Sequence, residues 1–266
     1  MGPPILQLLK TLIDPRVSKK MILQMAYGQL KMVGLAKVLS LLLSSSIVGV
    51  SSIIKIPQIR KIINPRLLDQ RISVAQGLSL EGISLESFNY LIHVIYNQQN
   101  NNPFVGYGEA LLLGLQNIAI ILLIEYYKAR SKLRVTDLAE KEQINEAVAQ
   151  LARPVAIVIG AVVLLAKVLP SSAISGLQLL SIPFSIASKI PQIKRNHDLK
   201  STTHLASVTI NANVLGSLIR VFTTVSNFDK LGRDYILLAG YTSSFALNAV
   251  LAGQCYIYGK ADKKSE

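Results

Sequence analysis

The chain is short of the residues that keep a protein in water. Only 16% of its 266 residues are charged, against about 25% in soluble domains. Tryptophan is absent, and cysteine occurs once, at Cys255. A single cysteine excludes an internal disulfide and any cysteine-built metal cluster. The three histidines, His93, His197 and His204, are scattered, so no metal site is expected. There is no Gly-rich phosphate loop after a strand, no GxSxG and no HExxH. Nothing therefore points to hydrolytic or transfer chemistry, and neither enzyme activity nor a cofactor is expected. Acidic residues are also few, 15 against 28 Lys and Arg, for a formal charge of +13. The basic residues sit in short groups between apolar runs, not in a patch interleaved with aromatics. Membrane topology places them so, and no nucleic-acid partner is expected.

What the chain has is apolar sequence. Hydrophobic residues make up 50%, the mean hydropathy is +0.41, and the runs reach the roughly 20 residues that cross a bilayer. Seven spans are expected, over 34–56, 78–97, 107–127, 154–169, 171–190, 205–226 and 235–258. Residues 1–33 contain Pro3, Pro4 and scattered lysines without a small-residue cleavage site, and predict an N-terminal interfacial segment and no signal peptide. Residues 128–153 mix both signs of charge and predict a solvated linker with a short helix near Glu142 and Glu146.

Within this pattern one element occurs twice. Lys55-Ile56-Pro57-Gln58-Ile59 recurs as Lys189-Ile190-Pro191-Gln192-Ile193, with the two prolines 134 residues apart. That period is too long for a solenoid and fits two copies of one domain. Each copy ends an apolar run and opens a basic stretch, so Pro57 and Pro191 are expected inside helices, where each would make a bend. With Gln58 and Gln192 they are candidate hinges, and Ser52 and Ser188 stand ready to satisfy the carbonyls a bend frees. The spans divide as three, one and three. The predicted fold is an all-α membrane protein: seven transmembrane helices in two parallel three-helix bundles, 34–127 and 171–259, joined by 128–170 and followed by a tail, 260–266.

Polar side chains inside spans are expensive and are functional candidates. Glu86, Asn89 and His93 lie in the second span, Glu109 and Gln116 in the third, Asn213 and Arg220 in the sixth, and Asn248 in the seventh. Aligning Leu78 with Leu205 pairs Glu86 with Asn213 and His93 with Arg220, while Gln116 matches Asn248. These groups are expected to line one cavity, with Glu86 and Arg220 as an opposite-charge pair. Such a pair fits either a structural bridge or a clamp for a phosphate. Basic residues near span ends place the Pro-Gln loops, the 128–153 linker and the C-terminus in the cytosol, and the N-terminus in the lumen. Lys263 and Lys264, at the fixed distance from the end that a dilysine signal requires, predict retrieval to the endoplasmic reticulum.

The duplicated Pro-Gln bend resembles the PQ-loop superfamily, which includes the SWEET sugar transporters and lysosomal amino-acid exporters. Over residues 34–260 the finer resemblance is to its mannose-P-dolichol utilisation defect branch. It rests on Gly77-Leu78-Ser79-Leu80, Leu85-Glu86, Asn102-Pro103-Phe104, Gly108-Glu109-Ala110-Leu111, Gly216-Ser217-Leu218-Ile219-Arg220, Asn248 and Gln254. The intact Pro191-Gln192 pair departs from the branch, whose members vary at that proline. Asn102 joins the candidate binding residues through its motif. The resemblance implies a SWEET-like arrangement in the endoplasmic-reticulum membrane. It also implies a non-enzymatic role in the use of dolichol-phosphate mannose and dolichol-phosphate glucose by lumenal glycosyltransferases, for N-glycan precursors, GPI anchors and O-mannosylation. The alternative is a SWEET-type or PQ-loop-type transporter of a soluble sugar or amino acid.

Overall fold

The computed structural model describes residues 48–226 and 235–265 apart from 103, 105, 106 and 137, with a few isolated positions before residue 47. Two compact units divide the chain, Met1–Ser44 and Ser45–Glu266. The helices and contacts described belong to the second. The N-terminal segment 1–33 and most of the first expected span lie outside the described residues.

The second unit is all helical among the described residues. Its helices are α1 (Ile56–Ile63), α2 (Leu68–Gly77), α3 (Leu80–Gln99), α4 (Gly108–Leu133), α5 (Glu140–Ala149), α6 (Ala152–Val163), α7 (Ser171–Leu179), α8 (Ser181–Ala187), α9 (Ile190–Leu199), α10 (Ser207–Ser226) and α11 (Tyr235–Ser265). Three stretches are long and apolar enough to cross a bilayer: α4, α5 with α6 to Val168, and α10. A fourth is α7 with Ser181–Leu199, bent by 50°. These spans imply a lipid bilayer around the protein. The expected second span coincides with α3, whose Glu81 and Glu86 make it less apolar than the others. The full set of seven extends beyond the described residues.

Two expectations about the repeat change. Pro57 and Pro191 are not inside helices; each stands in the first turn of a new one, α1 and α9. There the missing N–H has no intrahelical partner to lose. The chain breaks just before, at residues 52–55 and 188–189. Ser52 Oγ donates to Gly49 O (2.6 Å) and Ser188 Oγ to Ser185 O (2.9 Å), satisfying carbonyls at each break. The sharp bend in the second copy falls at Leu180, near Pro183, and not at Pro191. The basic stretch after Pro57, expected as a loop, is the helix pair α1 and α2. Ile62 and Ala75 are fully buried there, so apolar residues on one face hold helices the charge pattern had obscured.

α3 organises the rest. It packs on α4 of its own half and on α7 and α8 of the other, while α10 packs on α11. At the Pro-Gln end, Ile62, Ile72, Leu78, Ile124, Leu205 and Leu251 form one core from both halves. At the opposite end, Ile92, Ile95, Leu165 and Ile174 form another.

α6 behaves differently. The span containing it is the most apolar of the candidates, yet only 6% of it is buried, and no residue of Ala152–Val163 is buried. It is held at its two ends. Leu165, in the π-helical turn Leu164–Val168, inserts into the core at the far end. At the Pro-Gln end α5 docks on α4 through buried Ala147 and through Arg130, which donates to Glu140 O (3.3 Å). Between these attachments a groove of about 530 Å³ separates α6 from α3 and α4.

Candidate functional site

The repeated glutamines are exchanged between the halves. Gln58 is buried; its Nε2 donates to His204 O (2.8 Å) and its Oε1 accepts from Ala206 N (2.7 Å). Gln192 makes the mirror arrangement: Oε1 accepts from Ser79 N (2.8 Å) and Nε2 donates to Gly77 O (3.4 Å). Gly77 and Ser79 are the repeat equivalents of His204 and Ala206. Each glutamine thus holds the backbone that leads into the second long helix of the other half, α10 or α3. Ser79 also caps α3, accepting from Gly82 N (3.1 Å). Two glycines allow the close approach. A Cβ on Gly77 would lie 2.4 Å from the His204 ring, and one on Gly82 would lie 2.5 Å from Ser188 O. Asn196, fully buried, receives a bond from Gln192 (2.8 Å) and donates to Gln254 (2.8 Å), tying the clamp to α11.

The break in the first copy creates a polar cluster. Gln116 of α4 bridges it, accepting from Lys55 N (2.9 Å) and donating to Ser51 O (2.6 Å). This supplies partners that a broken helix in lipid lacks. Lys55 turns inward, 7% exposed, and its Nζ lies 2.6 Å from Glu86 Oε2 and 2.5 Å from Asn117 Oδ1. Asn117 Nδ2 donates to Glu86 Oε2 (2.8 Å), and Tyr90 OH donates to Glu86 Oε1 (3.1 Å). In the second copy Lys189 donates to Ser185 O (3.1 Å) and has no carboxylate partner among the described residues. The position equivalent to Glu86 is Asn213, which is neutral. Lys189 nevertheless lies within electrostatic reach of Glu86 and Lys55.

The expected Glu86–Arg220 pair does not form. Arg220 pairs with Glu109, across the halves, with its guanidinium 5.9 Å from the Tyr241 ring. The reason is depth. Arg220 corresponds to His93, seven residues beyond Glu86, or about 10 Å along a helix at ~1.5 Å per residue. Among the described residues the candidates fall into separate hydrogen-bonded groups. Glu86 and Gln116 belong to the Lys55 cluster. His93 Nδ1 lies 3.1 Å from Gln178 Nε2 of α7, with Asn89 one turn away on α3. Asn248 donates to Asn213 O (3.2 Å) and Ser217 Oγ (3.1 Å), within the α10–α11 pair. Asn102 donates to Asn97 Oδ1 (2.9 Å) and shapes the turn after α3. The side chains of Lys263 and Lys264 lie outside the described residues.

Asn89 Oδ1 and Gln178 Oε1 are buried and accept no hydrogen bond among the described residues. Sequence reasoning had no place for Lys55, Asn196, His204 or Gln178 in the site. Lys55 carries a signal, because the lysine belongs to the repeated unit, yet its place at a span end reads as a charge flanking the membrane.

The helices, the broken spans and the exchanged glutamines define a multi-pass membrane protein built on a duplicated Pro-Gln element. Residues 173–231, which run from α7 through α10, match the PQ loop repeat family. The match supports the PQ-loop superfamily, and with it a transporter-like membrane protein. No solved structure matches the chain.

Proposed function

We propose that this protein acts in the endoplasmic-reticulum membrane in the use of dolichol-phosphate mannose and dolichol-phosphate glucose, presenting or translocating the lipid-linked sugar for lumenal glycosylation. The observation that carries this reading is a charge imbalance. Lys55 pairs with Glu86 and Arg220 with Glu109, while Lys189 has no carboxylate partner among the described residues. A half-buried surplus cation is costly in hydrocarbon and calls for an anion. A sugar phosphodiester supplies one negative charge; a neutral sugar or a cationic amino acid does not. Hydroxyl groups of the sugar suit the unused acceptors Asn89 Oδ1 and Gln178 Oε1, since an unsatisfied buried acceptor costs about 1–3 kcal/mol. Further support comes from the resemblance of the segments around Glu109 and Arg220 to the mannose-P-dolichol utilisation defect branch. Lys263 and Lys264 supply the retrieval signal in this reading, with the C-terminus in the cytosol.

The test removes the surplus cation with Lys189→Met and one open acceptor with Gln178→Leu, which leaves both ion pairs intact. The double variant should insert and fold normally but fail to restore mannosylation in cells lacking the protein. The purified wild type in vesicles should act on dolichol-phosphate mannose. Normal mannosylation by the variant, or uptake of free sugar indifferent to added dolichol-phosphate mannose, would favour the soluble-solute transporter instead.

A further inference from the structure

The groove beside α6 is mostly apolar and adjoins the Lys55 cluster at Tyr90, which lines it and bonds Glu86. Its walls run from Leu80 to Val94 on α3, from Ala110 to Lys128 on α4 and from Arg153 to Val162 on α6. Ala110 and Lys128 are 18 residues apart, about 27 Å of helix at ~1.5 Å per residue. That is close to the ~30 Å hydrocarbon thickness of a bilayer. The charged residues on the walls, Glu125, Lys128 and Arg153, gather at one end, the Pro-Gln end. Arg153 is exposed and has no acidic partner among the described residues. Lys128 is half exposed and touches Glu125 at 3.5 Å. An exposed pair of this kind is weak, so the ammonium can turn to a stronger anion. α6 is pinned by Leu165 at one end and through α5 at the other, so packing elsewhere leaves the gap open.

We propose that this groove is a binding site for a polyisoprenyl phosphate. The chain lies along the apolar walls, and the phosphate is held by Lys128 and Arg153 on the side that the charge pattern assigns to the cytosol. The charge complementarity selects an anionic headgroup at one depth only, and the largely apolar walls run the length of a span for its chain. A guanidinium and an ammonium at the mouth supply the fork and point charge suited to phosphate oxygens. The choice of a polyisoprenyl chain rests on the function proposed above; the site itself does not. The groove would be where the lipid waits before its headgroup reaches the cluster between the halves.

The experiment uses the full-length protein in nanodiscs and a diazirine-bearing polyprenyl phosphate. Photolabel is expected on α6 between Arg153 and Val162 and on the facing side of α4. Lys128→Glu with Arg153→Glu should weaken binding at least tenfold. Gly114→Leu fills the groove from α4, where a Cβ meets only Tyr90 Cβ at the ordinary distance of 3.5 Å, and should weaken it comparably. The milder Arg153→Gln guards against misfolding of the reversal, and unphosphorylated polyprenol should bind poorly to all forms. Unchanged affinity in these variants, or equal competition by dioleoyl phosphatidate, would overturn the proposal. Labelling of the groove by a protein that leaves cellular glycosylation untouched would keep the site and remove the function. Glycosylation dependent on Lys189 without groove labelling would do the reverse.

Discussion

Lys55 and Glu86 form a buried ion pair with Asn117 as the shared partner. Removing one member of such a pair strands the other charge, at a cost of about 3–5 kcal/mol, whereas removing both can be nearly neutral. Lys55→Met is therefore expected to lower the thermal midpoint of the purified protein sharply. Lys55→Met with Glu86→Gln should recover most of the loss. A double variant as unstable as the single one would mean that Lys55 acts through packing. The sequence marked Glu86 as a residue to explain, because a carboxylate mid-span needs a partner. It did not identify that partner. Arg220 is the cation the spans themselves offer, and repeat alignment fixes depth along a helix but not which neighbouring helix a side chain faces. Arg220 was too deep by seven residues, while Lys55 became available only because the first span breaks before Pro57.

Helices show where sequence reading works and where it stops. The boundaries of α3, α4, α10 and the short helix α5 follow from apolar run length and from charge patterning, and these lie close to where they were expected. The breaks at 52–55 and 188–189 did not, because a proline constrains its own φ and removes its own donor without saying whether a helix continues through it or restarts at it. With Pro57 and Pro191 opening new helices, the residues that absorb any bending are those of the breaks, one step earlier than expected. Gly82 bears on this directly, since α3 begins against the carbonyl of Ser188 in the second break. Gly82→Ala places a methyl against backbone that cannot rotate away, and is expected to destabilise the protein by about 1–3 kcal/mol, the range for overpacking. Gly160→Ala, on the open face of α6 where a Cβ meets nothing within 4 Å, should be neutral or stabilising by up to about 1 kcal/mol. Thermal unfolding in detergent compares the two; equal midpoints would show that the α3–Ser188 contact is not tight.

On the scale of the whole molecule, the duplication was legible from ten residues, the two Lys-Ile-Pro-Gln-Ile copies. The exchange was not, since nothing in either copy says that its glutamine serves the other half. With that exchange, neither half is complete alone. Expressed separately, residues 1–139 and 140–266 should each be degraded or aggregated. Co-expressed, they should copurify and restore the function of the intact chain, and Gln58→Ala with Gln192→Ala should abolish that association while a Gly160→Ala control does not. Stable, monodisperse halves would show that the exchanged bonds contribute little.

The same exchange sets a schedule for biosynthesis. Gln58 bonds a carbonyl 146 residues further along the chain. At a translation rate of ~5–20 residues per second, that partner follows about 7–30 s later. During that interval the first half sits in the membrane with the Gln58 amide and the Ser79 N–H unmatched. It is then a natural client for chaperones that recognise polar groups in lipid, and a premature stop anywhere before His204 leaves a product that has never had the chance to close.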